Sequence, residues 1–137
     1  MYKVVLKSII IVSSLWITSC NYQTKKKDPN IYKGEIQFTD TICQLGTFTL
    51  TADSVYTNEF IFQNTGHVPV AILNVVPSCK CITVHYTQGV IQPGKNGKIN
   101  VTFDGKQAAP GYFNKSVRVR INANRVYTLR MTGTISK

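Results

Sequence analysis

Val117-Arg118-Val119-Arg120-Ile121-Asn122-Ala123-Asn124-Arg125-Val126-Tyr127-Thr128-Leu129-Arg130-Met131 decides the fold class. Val117, Val119 and Ile121 occupy every second position with Arg118 and Arg120 between them. After Asn122-Ala123-Asn124 the alternation resumes as Tyr127, Leu129 and Met131 against Thr128 and Arg130. Successive side chains of a strand point to opposite faces, so a period of two marks a half-buried strand, whereas a helix needs apolar residues three and four apart. Two such runs joined by a short Asn-rich turn predict an antiparallel hairpin.

The same period extends outward along the chain. Ile36 and Phe38 alternate with polar neighbours, Phe60 and Phe62 sit among Glu59, Ile61 and Gln63, and Ile99, Val101 and Phe103 alternate with Lys98, Asn100 and Thr102. Asn64-Thr65-Gly66, Pro93-Gly94, Asn96-Gly97 and Pro110-Gly111 supply residues that tolerate positive φ or preset it, and so predict turns. No segment shows a useful apolar face at helical period. From Gly34 onward about a hundred residues remain, enough for one core and too few for two. The expectation is one all-β domain over residues 34–137, an immunoglobulin-like antiparallel sandwich of about seven strands in preference to a barrel.

The first twenty residues follow a different logic. Lys3 and Lys7 precede or flank an apolar run from Ser8 to Ile17 that is too short for a stable transmembrane helix and ends at Thr18-Ser19-Cys20. A charged start, a short apolar stretch and small residues before a cut make a secretory signal over residues 1–19. Ile17-Thr18-Ser19-Cys20 resembles the lipobox of bacterial lipoproteins, which implies lipidation of Cys20 and membrane attachment by acyl chains. Two or more chains hold a protein on a bilayer where one does not. Residues 20–33 are polar, contain Pro29 and lack an apolar period, and are expected to form a flexible tether.

The chain carries 16 Lys and Arg against 6 Asp and Glu. Loss of Lys3 and Lys7 with the signal leaves 14 against 6, a formal charge of +8. An exported address argues against nucleic acid as the partner of this charge and no nucleic-acid motif is present. Lys25-Lys26-Lys27 would lie beside the membrane, where each lysine can add roughly 1 kcal/mol of attraction to an anionic leaflet. Asn21 is not the aspartate of the usual inner-membrane retention signal. The Lys25-Lys26-Lys27-Asp28 segment lacks the acidity that resembles surface-exported lipoproteins. The expected location is the periplasmic face of the outer membrane.

Three segments occur in a telling order: Phe60-Ile61-Phe62-Gln63-Asn64-Thr65-Gly66, Ser78-Cys79-Lys80-Cys81-Ile82-Thr83, and Ile91-Gln92-Pro93-Gly94-Lys95-Asn96-Gly97-Lys98-Ile99. With the glycine-led Gly111-Tyr112-Phe113, they resemble the bacterial family called domain of unknown function 1573, over roughly residues 36–135. The resemblance implies an immunoglobulin-like domain related to pilus-chaperone and sperm-protein-like domains, typically in exported proteins or lipoproteins of the Bacteroidetes group, with no established activity. Lys80 stands where the family usually has glycine, and Ile82 precedes the threonine.

Within these segments Phe60, Phe62, Asn64 and Gly66 are core and corner. Cys79 and Cys81 carry chemistry, because residues two apart on a strand share a face and exported thiols tend to pair. A direct Cys79–Cys81 bond closes a very small ring; a bridge from Cys43 to either is less strained if the first strand runs alongside. Three readings stay open: a structural disulfide or buried thiols, a redox-active pair, and a soft-metal site. For the last, His85 lies four residues past Cys81 and thiolate ligands would select copper or zinc, although a fourth ligand is missing and His67 sits at a turn.

Catalytic patterns are sparse. The mature chain has six carboxylates, all single: Asp28, Glu35, Asp40, Asp53, Glu59 and Asp104. No nucleophile elbow, phosphate-cradling loop or paired-histidine helix occurs. Arg118, Arg120 and Arg130 fall on one strand face, which Lys98 joins if its strand is adjacent. The expectation is a non-enzymatic interaction or scaffolding lipoprotein without cofactor, bound to the membrane by its anchor and to an envelope protein by its domain. The alternative is a thiol redox or copper/zinc-handling protein using Cys79 and Cys81.

Overall fold

The computed structural model describes residues 34–51, 54–106 and 108–136. Cys20, the signal and the tether expected over residues 1–33 lie outside the described residues.

The predicted hairpin forms. β8 (Gly111–Ile121) and β9 (Val126–Ser136) pair antiparallel from Gly111↔Ile135 to Arg120↔Val126. Asn124 takes a φ of 55° in the connecting turn, a left-handed conformation that asparagine tolerates better than most side chains. Val117, Val119, Ile121, Leu129 and Met131 are buried, while Arg118, Arg120 and Arg130 are exposed on the opposite face.

Seven further strands precede the hairpin: β1 (Ile36–Phe38), β2 (Ile42–Thr49), β3 (Val55–Asn64), β4 (Val70–Pro77), β5 (Ile82–Tyr86), β6 (Val90–Ile91) and β7 (Asn96–Asp104). They complete two sheets with no helix among the described residues. One has the order β1-β3-β7-β5 and the other β2-β9-β8-β4-β6. Nine strands replace the expected seven or so, because the first strand is split in two and β6 is a two-residue bridge to Val70 and Ala71.

The split has a clear cause. After β1 pairs with β3, Thr39 N–H donates to the Ile61 carbonyl (3.0 Å), and two residues later the Thr41 carbonyl accepts from Arg130 N–H (2.8 Å). The chain thereby crosses between sheets, and β2 runs parallel to β9 at the sheet edge. Its register shifts between Gln44 and Thr47, where Gly46 has a φ of 71°. Such an edge bulge interrupts the flat edge that a further strand could pair with.

Asn96-Gly97, expected as a turn, instead opens β7. Gln63↔Asn96 and Phe62↔Gly97 continue the β3–β7 ladder, and the turn falls on Pro93-Gly94. Between the sheets Phe60, Phe62, Ile99, Val101 and Phe103 meet Val117, Val119, Ile121, Leu129, Met131 and Ile135. Burying each such side chain contributes about 1.5–3 kcal/mol. Aromatic pairs span the layers: Phe103 stacks on Phe113 at 4.7 Å, Tyr56 lies 4.4 Å from Phe48, and Phe38 lies 5.8 Å from Tyr127.

Candidate functional site

Ser78-Cys79-Lys80-Cys81 forms the corner at which the chain leaves β4 in one sheet for β5 in the other. Backbone hydrogen bonds hold it at three points. Ser78 N–H donates to the Ser116 carbonyl (2.8 Å), Ile82 N–H to the Cys79 carbonyl (3.3 Å), and Asp104 N–H to the Cys81 carbonyl (2.8 Å). Ser78 Oγ also accepts from Ser116 N–H (3.0 Å). Across this turn Cys79 and Cys81 are joined by a disulfide, with Cα atoms 5.2 Å apart. Both half-cystines are partly exposed and rest against the core. Lys80 is exposed between them and has no positive φ, so this turn does not require glycine at position 80.

A disulfide stabilises chiefly by restricting the unfolded chain, and does so least when its loop is short. Three residues correspond to about 1.6 kcal/mol, against about 3 for a fifteen-residue loop.

Cys43 does not bridge to this pair; it is a free thiol. It lies on β2 opposite Met131, and β9 and β8 separate β2 from β4. Three strand spacings amount to roughly 14 Å. A disulfide needs Cα atoms within about 7 Å. Burial against the core pushes the Cys43 thiol above its ordinary range.

His85 is not brought to the cysteines. Ile82, Val84 and Tyr86 face the core, whereas His85 pairs with Asn100 and faces solvent. Cys81 precedes the strand, in the turn, so the even spacing from Cys81 to His85 does not place them on one face. Among the described residues no three His, Cys, Asp or Glu side chains converge on a metal-sized site.

Two contiguous depressions border the corner. A groove of about 290 Å³ is lined by Lys80, Cys81, Asp104 and Lys106. A cleft of about 490 Å³ begins again at Cys81 and Asp104 and is lined by Ala108, Tyr112 and Lys115, with the buried rings of Phe103 and Phe113 behind them. Cys81 lines both, whereas Cys79 lines neither. Sequence alone did not expose this pairing, because the segment after Gly105 has no periodicity that fixes where it folds back.

The second candidate is the outer face of the five-stranded sheet. Arg130 lies between Ile42 and Ser116, Arg118 between Val76 and Thr128, and Arg120 between Asn74 and Val126. Arg130 Nη1 donates to Asn114 Oδ1 (3.1 Å). The ion pairs among the described residues, Lys98–Glu59 and Arg125–Glu35, include none of these three arginines. Ile42, Val76 and Val126 are exposed between them. Lys98 does not join this stripe: β7 belongs to the other sheet.

Residues 36–135 match the family described as protein of unknown function (DUF1573). The chain belongs to this family. No curated protein matches it. Among solved structures, the DUF1573 domain is similar to a protein of unknown function from Porphyromonas gingivalis W83, with 13% identity and a TM-score of 0.64. That alignment covers 77% of this chain and 48% of the other, so the chain spans about half the length of that protein. It is also similar to PapD-like domain 7 of human CEP192, with 13% identity, TM-score 0.52, and coverage of 80% of this chain and 89% of that domain. A third match is to the CsuC–CsuE chaperone–tip adhesion subunit pre-assembly complex of Acinetobacter baumannii, with 10% identity, TM-score 0.52, and coverage of 76% and 57%. At these identities the likeness is one of fold: the DUF1573 domain is an immunoglobulin-like, PapD-like sandwich.

Proposed function

We propose that this chain is a lipid-anchored, non-enzymatic interaction module of the bacterial cell envelope. Cys20 holds it on the periplasmic face of the outer membrane, and the arginine face of the five-stranded sheet engages an acidic protein partner. The observation that carries this reading is the set Arg118, Arg120 and Arg130, free of carboxylate partners among the described residues and interleaved with exposed Ile42, Val76 and Val126. Protein interfaces are enriched in arginine, whose planar guanidinium pairs with carboxylates through two parallel hydrogen bonds, and are depleted in lysine. The same sandwich occurs in a chaperone–subunit assembly, which supports a binding role for the fold.

Photo-crosslinkers placed at Val76 and Val126 in intact envelopes test the reading. One specific acidic partner is expected, and a triple Arg118→Glu, Arg120→Glu, Arg130→Glu variant that remains folded is expected to lose it. Capture unchanged by charge reversal would sink the assignment to this face. The anchor has its own check, since radioactive fatty acid should label the native chain and not Cys20→Ala; an unlabelled native chain removes the membrane attachment.

A further inference from the structure

We infer that Cys79–Cys81 is a thiol–disulfide exchange site for cysteine-containing peptides or proteins, with Cys81 the sulfur that is attacked. This goes beyond the binding role and does not depend on it. Four observations converge. The bond closes a loop of only three residues and so restrains the unfolded chain little. Its corner is held by backbone hydrogen bonds from Ser78, Ile82 and Asp104, so the turn persists when the bond opens. Both sulfur-bearing residues are partly exposed, and Cys81 alone borders the two depressions. Lys80 and Lys106 line the groove beside Cys81, against the single carboxylate of Asp104. Neighbouring cations favour a thiolate, which makes it both a better leaving group and a more populated nucleophile.

The electrons balance as follows. A substrate thiolate attacks Cys81 Sγ; the Cys79–Cys81 bond breaks, a substrate–Cys81 disulfide forms, and Cys79 leaves as the thiolate. A second thiolate of the same substrate attacks the first substrate sulfur, forming the substrate disulfide and releasing the Cys81 thiolate. Two electrons pass from the substrate dithiol to the pair, and the substrate's two protons are shared between solvent and the new thiols. Run backwards, the reduced pair reduces a substrate disulfide. The cleft of about 490 Å³, whose lining includes Asp104, Ala108, Tyr112 and Lys115, leaves room beside Cys81 for residues flanking a substrate cysteine, so a peptide is favoured over a small thiol.

The test uses the full-length chain in detergent, with each thiol resolved by alkylation, digestion and mass spectrometry. Incubation with a synthetic two-cysteine peptide is expected to give one peptide disulfide per Cys79–Cys81 bond lost, with the near-ultraviolet circular dichroism retained. In a Cys20→Ser, Cys43→Ser background, lone Cys81 (with Cys79→Ser) is expected to react with 5,5′-dithiobis(2-nitrobenzoate) roughly tenfold faster than lone Cys79 (with Cys81→Ser). Lys80→Gln combined with Cys79→Ser should slow that reaction. The inference is overturned if dithiothreitol opens the bond only under unfolding conditions, or if both lone thiols react at the same rate. Should either serine variant fail to fold, the peptide assay on the native chain decides, because a bond that persists with excess dithiol peptide refutes exchange.

Discussion

The ring of Phe62 occupies the space that a side chain on Gly97 would need: a Cβ placed there falls 2.3 Å from Phe62 Cζ. The two residues face each other across the β3–β7 ladder, and Phe62 is almost wholly buried. Glycine at 97 is therefore a packing requirement and not a turn signal.

Gly97→Ala is accordingly expected to destabilise the domain by about 1–3 kcal/mol through overpacking. Gly94 provides the contrast. Nothing lies within 4 Å of its Cβ position, but its φ is 76°, so Gly94→Ala should cost about 1–2 kcal/mol through backbone strain. Urea unfolding distinguishes the causes: Gly97→Ala paired with Phe62→Leu should recover part of the loss, and Gly94→Ala with the same partner should not.

The Gly97 case also shows what a linear reading can reach. Alternation in Ile99, Val101 and Phe103 was legible, but Asn-Gly is a common hairpin dipeptide, and its place inside β7 depends on a ring from another strand. The Arg118, Arg120 and Arg130 face was legible because one hairpin contains all three. Lys98 could not be placed without knowing which sheet β7 joins. β2 was hidden because the Gly46 bulge breaks the period between Leu45 and Phe48. The cysteine pair was visible in sequence, yet Cys81's relation to His85 was not, since a turn rather than a strand joins Cys79 to Ile82.

Asn64 is the buried polar residue to test. Its side-chain Nδ2 donates to the carbonyls of Val68 and Ile91, both at 2.9 Å, and its Oδ1 accepts from Gly66 N–H at 3.0 Å. One side chain thus ties together the end of β3, the loop before β4, and β6. Asn64→Leu would deprive the Val68 and Ile91 carbonyls of this donor in an apolar setting, while Gly66 N–H keeps its bond to the Glu35 carbonyl (3.2 Å), at a cost of about 2–4 kcal/mol. Denaturant titration should show a midpoint well below that of Asn64→Gln or the native chain; equal midpoints for Leu and Asn would mean that water replaces the lost bonds.

Cys43 gives a pH prediction. Because burial raises its pKa in the folded chain, the folded state holds the thiol proton more tightly than the unfolded state. The resulting stabilisation is fully present below the ordinary thiol value of 9.0 and is lost as pH rises through the folded value. The difference in unfolding free energy between the native chain and Cys43→Ala should therefore shrink above about pH 9. At pH 8 iodoacetamide should label Cys43 slowly in the folded chain and rapidly in urea; a pH-independent difference would show that the thiol titrates alike in both states.

Phe113 links the core to the cleft beside Cys81. It stacks on Phe103 at 4.7 Å with planes 19° apart, and its Cε1 lies 2.8 Å from where a Cβ on Gly133 would be. Phe103 belongs to β7 and Phe113 to β8, so the pair joins the two sheets. Phe113→Leu and Phe103→Leu should each destabilise the domain, and because the rings act on each other the double variant should lose less than the sum. The coupling expected for an aromatic pair is about 0.5–1.5 kcal/mol. A four-way cycle of urea midpoints measures it, and strict additivity would mean that each ring contributes only its buried area and that the stacking adds nothing to sheet-to-sheet cohesion.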